Sequence, residues 1–142
     1  MSDPLLKLDS FLPYKLSLAS NLVSDVIAES YQKLFALKVP EWRVLAVIAE
    51  AGRPTQLEIG QRTGMDKVTV SRATLAMEAR GLIVRCPNPA DGRSHLLTLS
   101  HAGIALYRPV VPQARELEAV IFDSLDELGL VRFASILDRL RS

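Results

Sequence analysis

The stretch TQLEIGQRTGMDKVTVSRATLAMEARGLIVRCPNPADGRSHLLTLS, residues 55–100, decides the fold of this chain. Thr55 is followed three residues later by Glu58, which is the spacing of a capping box at a helix N-terminus. Gly64 is the next helix stop, because glycine readily adopts the left-handed conformation in which helices end. The pattern therefore predicts a short helix in which Leu57 and Ile59 point inward.

A longer helix and a β-hairpin follow in the same stretch. Asp66 is a good N-cap for the run KVTVSRATLAMEARG, which ends at Gly81. The runs LIVRC and HLLTLS are strand-like, and the segment between them holds the pair Asp91-Gly92, a strong turn signal. With a helix that opens at Pro40, the order predicts a winged helix-turn-helix, mainly α with a small β-hairpin wing.

Helical patterns extend on both sides of this stretch. The first helix opens near Pro13, and the second, EWRVLAVIAEAG, follows Pro40. The helical pattern resumes after Ser100, which can act as an N-cap. The apolar face of the first helix is wider than one small domain can cover, which predicts N- and C-terminal dimerisation helices.

Two prolines interrupt the C-terminal helical pattern. Pro109 and Pro112 fall inside what would otherwise be one long helix. Because proline removes a backbone donor and clashes with the preceding turn, we expect a kink or a break there. The pattern then predicts a helix over about 113–124 and a last helix over about 126–141.

Length and composition exclude several classes of protein. The chain has 142 residues, of which 49% are hydrophobic and 23% charged, as in a folded domain rather than a disordered chain. The single cysteine, Cys86, excludes a disulfide framework and is typical of a cytoplasmic protein. No run reaches the roughly 18 apolar residues of a membrane span. The start MSDPLLKLD has no signal-peptide pattern.

The positive charge is concentrated in one window. The net charge is only +1, but residues 62–95 carry six Lys or Arg against three acids, a net of +3. The segments 1–40, 41–61 and 96–142 have net charges of 0, −1 and −1. A basic segment is typical of a nucleic-acid-binding surface, although a window of this size also arises by chance.

The most specific motif is DGRSHLLTLS, residues 91–100, which resembles the wing signature of the MarR family of bacterial transcription regulators. Ser71-Arg72 and residues 78–82 are similar to that family's recognition helix and its exit. Residues 40–45 resemble the start of its second helix. The resemblance covers nearly all of the sequence.

This resemblance implies one domain over residues 1–142, with a DNA-binding lobe at 37–100 and helical dimerisation regions at 1–36 and 101–142. It implies a homodimeric, sequence-specific transcription regulator, a repressor bound to a pseudo-palindromic operator in double-stranded DNA. The sequence departs from the family at Leu75-Ala76, where many members carry a charged pair. The two prolines also put a continuous fifth helix in doubt.

Candidate DNA contacts lie on the predicted recognition helix and wing. The N-terminal half of such a helix contacts base edges, so we expect Arg72 to bind guanine through two hydrogen bonds. Arg93 at the hairpin tip is expected to enter the minor groove, oriented by Asp91, which the resemblance pairs with an arginine. The other candidates for base or phosphate contacts are Gln56, Gln61, Lys67, Thr69 and Ser71. The alternative is that these side chains form only a solvated polar face.

The resemblance also implies a crevice for a small aromatic acid effector between the dimer helices and the DNA-binding lobe. The first-helix residues Ser17, Asn21 and Ser24 would line it, with Trp42 or Arg43 opposite. The alternative is that the first three are the polar edge of a helix and that Trp42 is part of the core.

Other reactive side chains carry little functional signal. Cys86, beside Arg85, is expected to be inert, because the peroxide-sensing members of the family carry their reactive cysteine near the N-terminus. His95, His101 and Asp91 lack metal-ligand spacing. Because no nucleophile elbow, phosphate loop or carboxylate pair occurs, we expect no metal, no cofactor and no enzyme activity. The alternative function is a winged-helix module used for dimerisation or protein contact without DNA binding.

Overall fold

The computed structural model describes residues 4–142. They belong to two compact units, one extending to Val110 and the other covering Val111–Ser142. Residues 1–3 of the predicted 1–142 domain lie outside the described part of the chain. The internal boundaries at residues 37 and 100 remain a prediction.

The predicted fold class, mainly α with a β-hairpin wing, is confirmed. A short 3-10 helix, Leu8–Ser10, precedes the first long helix. No helix within residues 4–142 has both the length and the apolar character that a membrane crossing requires. The helices are α1 (Leu12–Phe35), α2 (Val39–Ala51), α3 (Gln56–Thr63), α4 (Lys67–Ala79), α5 (His101–Ile121) and α6 (Glu127–Arg141), and the strands are β1 (Ile83–Pro87) and β2 (His95–Leu99).

The core of the first unit is built from α2, α3, α4 and the hairpin. Leu45, Ile59, Met77 and Leu97, one from each of these elements, are completely buried. Because the four elements share this core, α4 and the hairpin are held in one orientation relative to each other.

The Thr55 N-cap of α3 is confirmed, but the predicted capping box lacks its reciprocal bond from Thr55 N–H to the Glu58 side chain, and only one of the two residues predicted to point inward does so. Thr55 Oγ1 accepts a hydrogen bond of 3.2 Å from the backbone N–H of Glu58. Ile59 is buried as predicted, whereas Leu57 is 72% exposed. Residues two apart on a helix lie on nearly opposite sides, so only one of the two can face the core.

The hairpin is antiparallel and is also hydrogen-bonded through its backbone to the loop before α3. Arg85 of β1 is opposite Leu97 of β2 in the register. The N–H of Leu97 donates to the carbonyl of Pro54, in the loop before α3, at 2.9 Å. The N–H of Ser100 donates to the carbonyl of Leu82 at 3.0 Å. Ser100 Oγ accepts a hydrogen bond of 3.1 Å from Gly103 N–H, which confirms Ser100 as the N-cap of α5.

Of the kink or break predicted at the two prolines, the break is wrong. Helix α5 is continuous and contains both Pro109 and Pro112, so no separate helix starts near residue 113. The carbonyls that lose their helical donors belong to Ala105 and Arg108, and both residues are exposed. Water can satisfy these carbonyls, so the missing hydrogen bonds do not end the helix.

The end of α1 is attached to the end of α4. Ala36 adopts a left-handed backbone conformation, with φ of 52°, directly after α1. Arg80, the residue after α4, donates to the carbonyl of Ala36 at 2.8 Å and to that of Phe35 at 3.3 Å. The side chain thereby caps carbonyls that α1 leaves without helical donors.

Two of the helices leave most of their apolar side chains uncovered. In α1 only Tyr31 is buried, and Leu22 is 67% exposed. Helix α6 has no buried residue, and its Leu140 is 65% exposed. Such surfaces are uncommon on a monomer and are typical of subunit interfaces.

Candidate nucleic-acid interface

Helix α4, the predicted recognition helix, buries one face and exposes the opposite one. Val70, Ala73, Thr74 and Met77 form the buried face. Arg72 projects from the opposite side and is exposed to solvent, as is Lys67 at the start of the helix. Thr69 and Ser71 are partly buried. The helix therefore presents its cationic side chains to solvent and holds its position through its apolar side chains.

Asp66 caps the N-terminus of α4. Its Oδ1 accepts a hydrogen bond of 2.7 Å from the backbone N–H of Thr69. This bond, the Thr69 hydroxyl and the positive charge of Arg72 lower the pKa of the Asp66 carboxyl below its ordinary value. A lowered pKa means that this cap stabilises the fold at neutral pH and is lost as the pH falls through that pKa.

The wing loop is closed by side-chain hydrogen bonds. Asn88 Nδ2 donates to Ser94 Oγ at 2.8 Å across the loop. Asp91 Oδ1 accepts from the backbone N–H of Arg93 at 3.0 Å, so Asp91 orients the tip through a backbone amide. The predicted pairing of Asp91 with an arginine side chain is wrong, because no such ion pair occurs in residues 4–142. Arg93 is exposed at the tip.

A charged network that the sequence analysis did not predict connects α3, α4 and β1. Arg85 Nε lies 2.6 Å from Glu78 Oε1, and both side chains are about one quarter exposed. With its amide oxygen turned towards the guanidinium, Gln56 accepts from Arg85 at 3.0 and 3.2 Å. The network fixes Gln56 beside the hairpin. Opposite charges on either side of the Gly81 turn were the only sequence signal for it.

Several of the predicted contact residues lie around one groove. It lies between the start of α3 and the wing and has a volume of about 480 Å³. Lys67 and Arg93 line it together, with the acidic Glu58 on the α3 side. Gln56 and Asp91 also line it. The structure thus brings the first residue of the recognition helix and the wing tip to the same opening.

The remaining predicted DNA contacts lie elsewhere on α3 and α4. Thr69 and Arg72 line a smaller depression of about 220 Å³ beside the start of α2, which also includes Lys38 and Glu41. Ser71 lines neither of these two openings. Gln61 lines a third opening, between α3 and α4.

The predicted effector residues lie on two helices, Ser17, Asn21 and Ser24 on α1 and Trp42 and Arg43 on α2. Trp42 stacks on Tyr107, with ring centroids 5.7 Å apart, and meets the edge of Tyr31 at 5.5 Å. Ser24 and Ser17 precede Tyr31 on α1 by about 10 and 21 Å of helix. The exposed residues of this set are Ser17, Asn21, Ser24 and Arg43.

The cysteine and histidines form no metal site in the described part of the chain. Cys86 is partly buried on β1. No group of three or more His, Cys, Asp or Glu side chains in residues 4–142 is arranged to hold a metal ion.

The helix pair α3–α4, the two-stranded wing and the cations beside them define a winged helix-turn-helix protein. Residues 37–94 match the model of the MarR family. This match places the winged helix-turn-helix region, residues 37–94, in the MarR family, whose members are transcription regulators and not enzymes.

Relatives and a solved structure agree with this assignment. The chain is 28% identical over 110 residues to the HTH-type transcriptional repressor IacR of Pseudomonas putida, covering 78% of this chain and 66% of that protein. It is 28% identical over 82 residues to the repressor NicR of the same species, covering 58% and 52%. These alignments span less than two thirds of the relatives' own lengths. The crystal structure of a probable transcriptional regulator from Pseudomonas aeruginosa superposes with a TM-score of 0.86 at 28% identity, covering 94% of this chain and 99% of that one.

Proposed function

We propose that the chain acts in the cytoplasm as a homodimeric, sequence-specific DNA-binding repressor of transcription. The observation that carries the proposal is the groove shared by the recognition helix and the wing, where Lys67 and Arg93 lie. Cations at these two places suit a DNA backbone that passes from the major to the adjacent minor groove. A winged helix used only for protein contact has no need of exposed cations at both places.

The uncovered apolar side chains of α1 and of α6 support a dimer. A 24-residue helix with one buried residue gains little stability from its own chain, and a second copy supplies the missing cover. A two-fold dimer would double the charge of the basic window and would read two half-sites about one helical turn of DNA apart. The terminal regions 1–36 and 101–142 are the proposed dimerisation regions.

Sedimentation of the purified chain with and without DNA tests the proposal. We expect twice the mass of one chain at all concentrations above the micromolar range. In low salt we expect one dimer on a duplex that spans two half-sites about 10 base pairs apart. A monomer at every concentration would contradict the dimer. A dimer that binds neither heparin nor mixed-sequence DNA at low salt would favour the protein-contact alternative.

We further propose that a small aromatic acid binds the dimer and releases it from DNA, with Ser17, Asn21, Ser24, Trp42 and Arg43 as the candidate contacts. The support is the exposed polar edge of α1 and the aromatic cluster around Trp42. A ligand that binds only the folded state raises its melting temperature. We therefore expect at least one member of a panel of aromatic carboxylic acids to raise the melting temperature and to weaken DNA binding. A panel that changes neither quantity would refute this effector class.

A further inference from the structure

The outward face of the recognition helix is apolar on both sides of its arginine. Val68, Arg72 and Leu75 follow one another at intervals of four and three residues, so they form one stripe along the helix. Val68 is 59% exposed and Leu75 is 58% exposed. The stripe lies opposite the buried face that contains Val70 and Met77. Neither residue contributes to the core, so neither identity is explained by folding.

Val68 lies where a recognition helix meets bases. It is the second residue of α4, after the Asp66 cap and Lys67. The Asp66 carboxylate accepts from Thr69 N–H, and the Val68 side chain remains exposed to solvent. Arg72 is one turn further along, about 6 Å away. Leu75 lies about 10 Å further along than Val68, in the C-terminal half that is held away from base edges in such helices.

We infer that Val68 is a specificity-determining residue that contacts the methyl group of a thymine in the major groove. This inference rests on the proposed DNA-binding function. Thymine is the only base that presents a methyl group in the major groove, whereas the other base edges there offer hydrogen-bonding atoms. A valine placed against such atoms displaces the water that is hydrogen-bonded to them and offers no hydrogen bond in return. Val68 therefore disfavours those bases.

The spacing of the stripe predicts where that thymine lies. A separation of about 6 Å along the helix corresponds to about two base-pair steps of 3.4 Å. The thymine is therefore expected within about two base pairs of the guanine that Arg72 would bind.

Replacing thymine by deoxyuridine tests the contact, because it removes only the methyl group. The DNA is first selected from a random pool by the wild-type protein, and each thymine of a half-site is then replaced in turn. For one thymine we expect the wild-type dissociation constant to rise about fourfold, the ratio that corresponds to burial of one methyl group. The Val68→Ala variant is expected to bind both DNAs equally, and the matched Leu75→Ala variant to keep the wild-type difference.

The outcomes separate this inference from the function on which it rests. If the protein selects a sequence but no thymine methyl affects its binding, or if Val68→Ala keeps the full methyl effect, the Val68 contact is refuted and DNA recognition stands. If Leu75→Ala alone removes the effect, the contact belongs to Leu75. If no sequence is selected and no DNA is bound, both proposals fail. Circular dichroism establishes that the variants are folded, as expected for changes at exposed positions.

Discussion

The Gly103→Ala variant is expected to lose a substantial part of its folding stability. Gly103 is buried in the first turn of α5, and a Cβ atom there would overlap the backbone carbonyl oxygen of Leu82. That oxygen cannot move freely, because it accepts the 3.0 Å hydrogen bond from Ser100 N–H at the end of the hairpin. The clash therefore displaces the strand, the cap or the helix.

Two opposing effects decide the size of this loss. Alanine is better than glycine inside a helix by about 1 kcal/mol. Overpacking typically costs about 1–3 kcal/mol, and we expect the upper end here because the Cβ atom meets a backbone oxygen, out of a total stability of about 5–15 kcal/mol. The clash is the larger effect, so we expect the melting temperature to fall by roughly 10 °C or the chain to become insoluble.

A matched glycine provides the control. Gly92 lies in the exposed wing loop without a left-handed φ, and a Cβ atom there meets nothing within 4 Å. Gly92→Ala is expected to change the free energy of unfolding by less than about 0.5 kcal/mol. Urea unfolding followed by circular dichroism measures both variants. A Gly103→Ala protein as stable as Gly92→Ala would show that Leu82 and α5 are not packed as described.

The Arg72→Ala variant is expected to lose sequence discrimination while remaining folded. Arg72 is exposed on α4 and contributes nothing to the core. A bidentate contact to guanine discriminates by about 1–3 kcal/mol, so the dissociation constant for selected DNA should rise by roughly 10- to 100-fold. Binding to mixed-sequence DNA should change much less. The dissociation constant of Arg72→Lys for the selected DNA should fall between those of the wild type and Arg72→Ala, because a lysine keeps the charge but cannot form two parallel hydrogen bonds to guanine.

The Arg93→Ala variant distinguishes the recognition of base edges from attraction to the charged DNA backbone. An arginine at the wing tip acts mainly on the phosphate backbone and the minor groove, so its loss should weaken selected and mixed DNA alike. It should also lower the slope of log K against log salt concentration by about one. Fluorescence anisotropy over a range of salt concentrations measures both quantities. An Arg72→Ala protein that keeps full discrimination at every base pair would refute the guanine contact, and an unchanged slope would refute the role of Arg93.

The sequence predicted the elements well because their limits depend on local chemistry. The Thr55 and Asp66 side chains accept hydrogen bonds from amides three residues later, as their positions before α3 and α4 require. Gly64 and Gly81 follow those helices with left-handed φ values. Such features involve neighbours within one helical turn, so one sequence suffices to find them.

Long-range contacts were the part that the sequence did not predict. The sequence makes Leu57 and Ile59 equally plausible core residues, and only the structure shows that Ile59 is the buried one. The charges at Glu78 and Arg85 do not reveal that they pair with each other and hold Gln56. Asp91 accepts a hydrogen bond from a backbone amide, whereas the resemblance predicted that it would pair with an arginine side chain.

The sequence by itself therefore determined the order of helices and strands over residues 55–100, the caps that begin and end them, and the MarR-type wing signature. Only the tertiary structure decided where side chains lie: Lys67 and Arg93 line one groove, Arg80 bonds the end of α1, and Val68 is exposed on the outward face of α4. The physical reason is that caps and turns are set by interactions within a few residues. Burial and pairing depend on elements that packing brings together from distant parts of the chain.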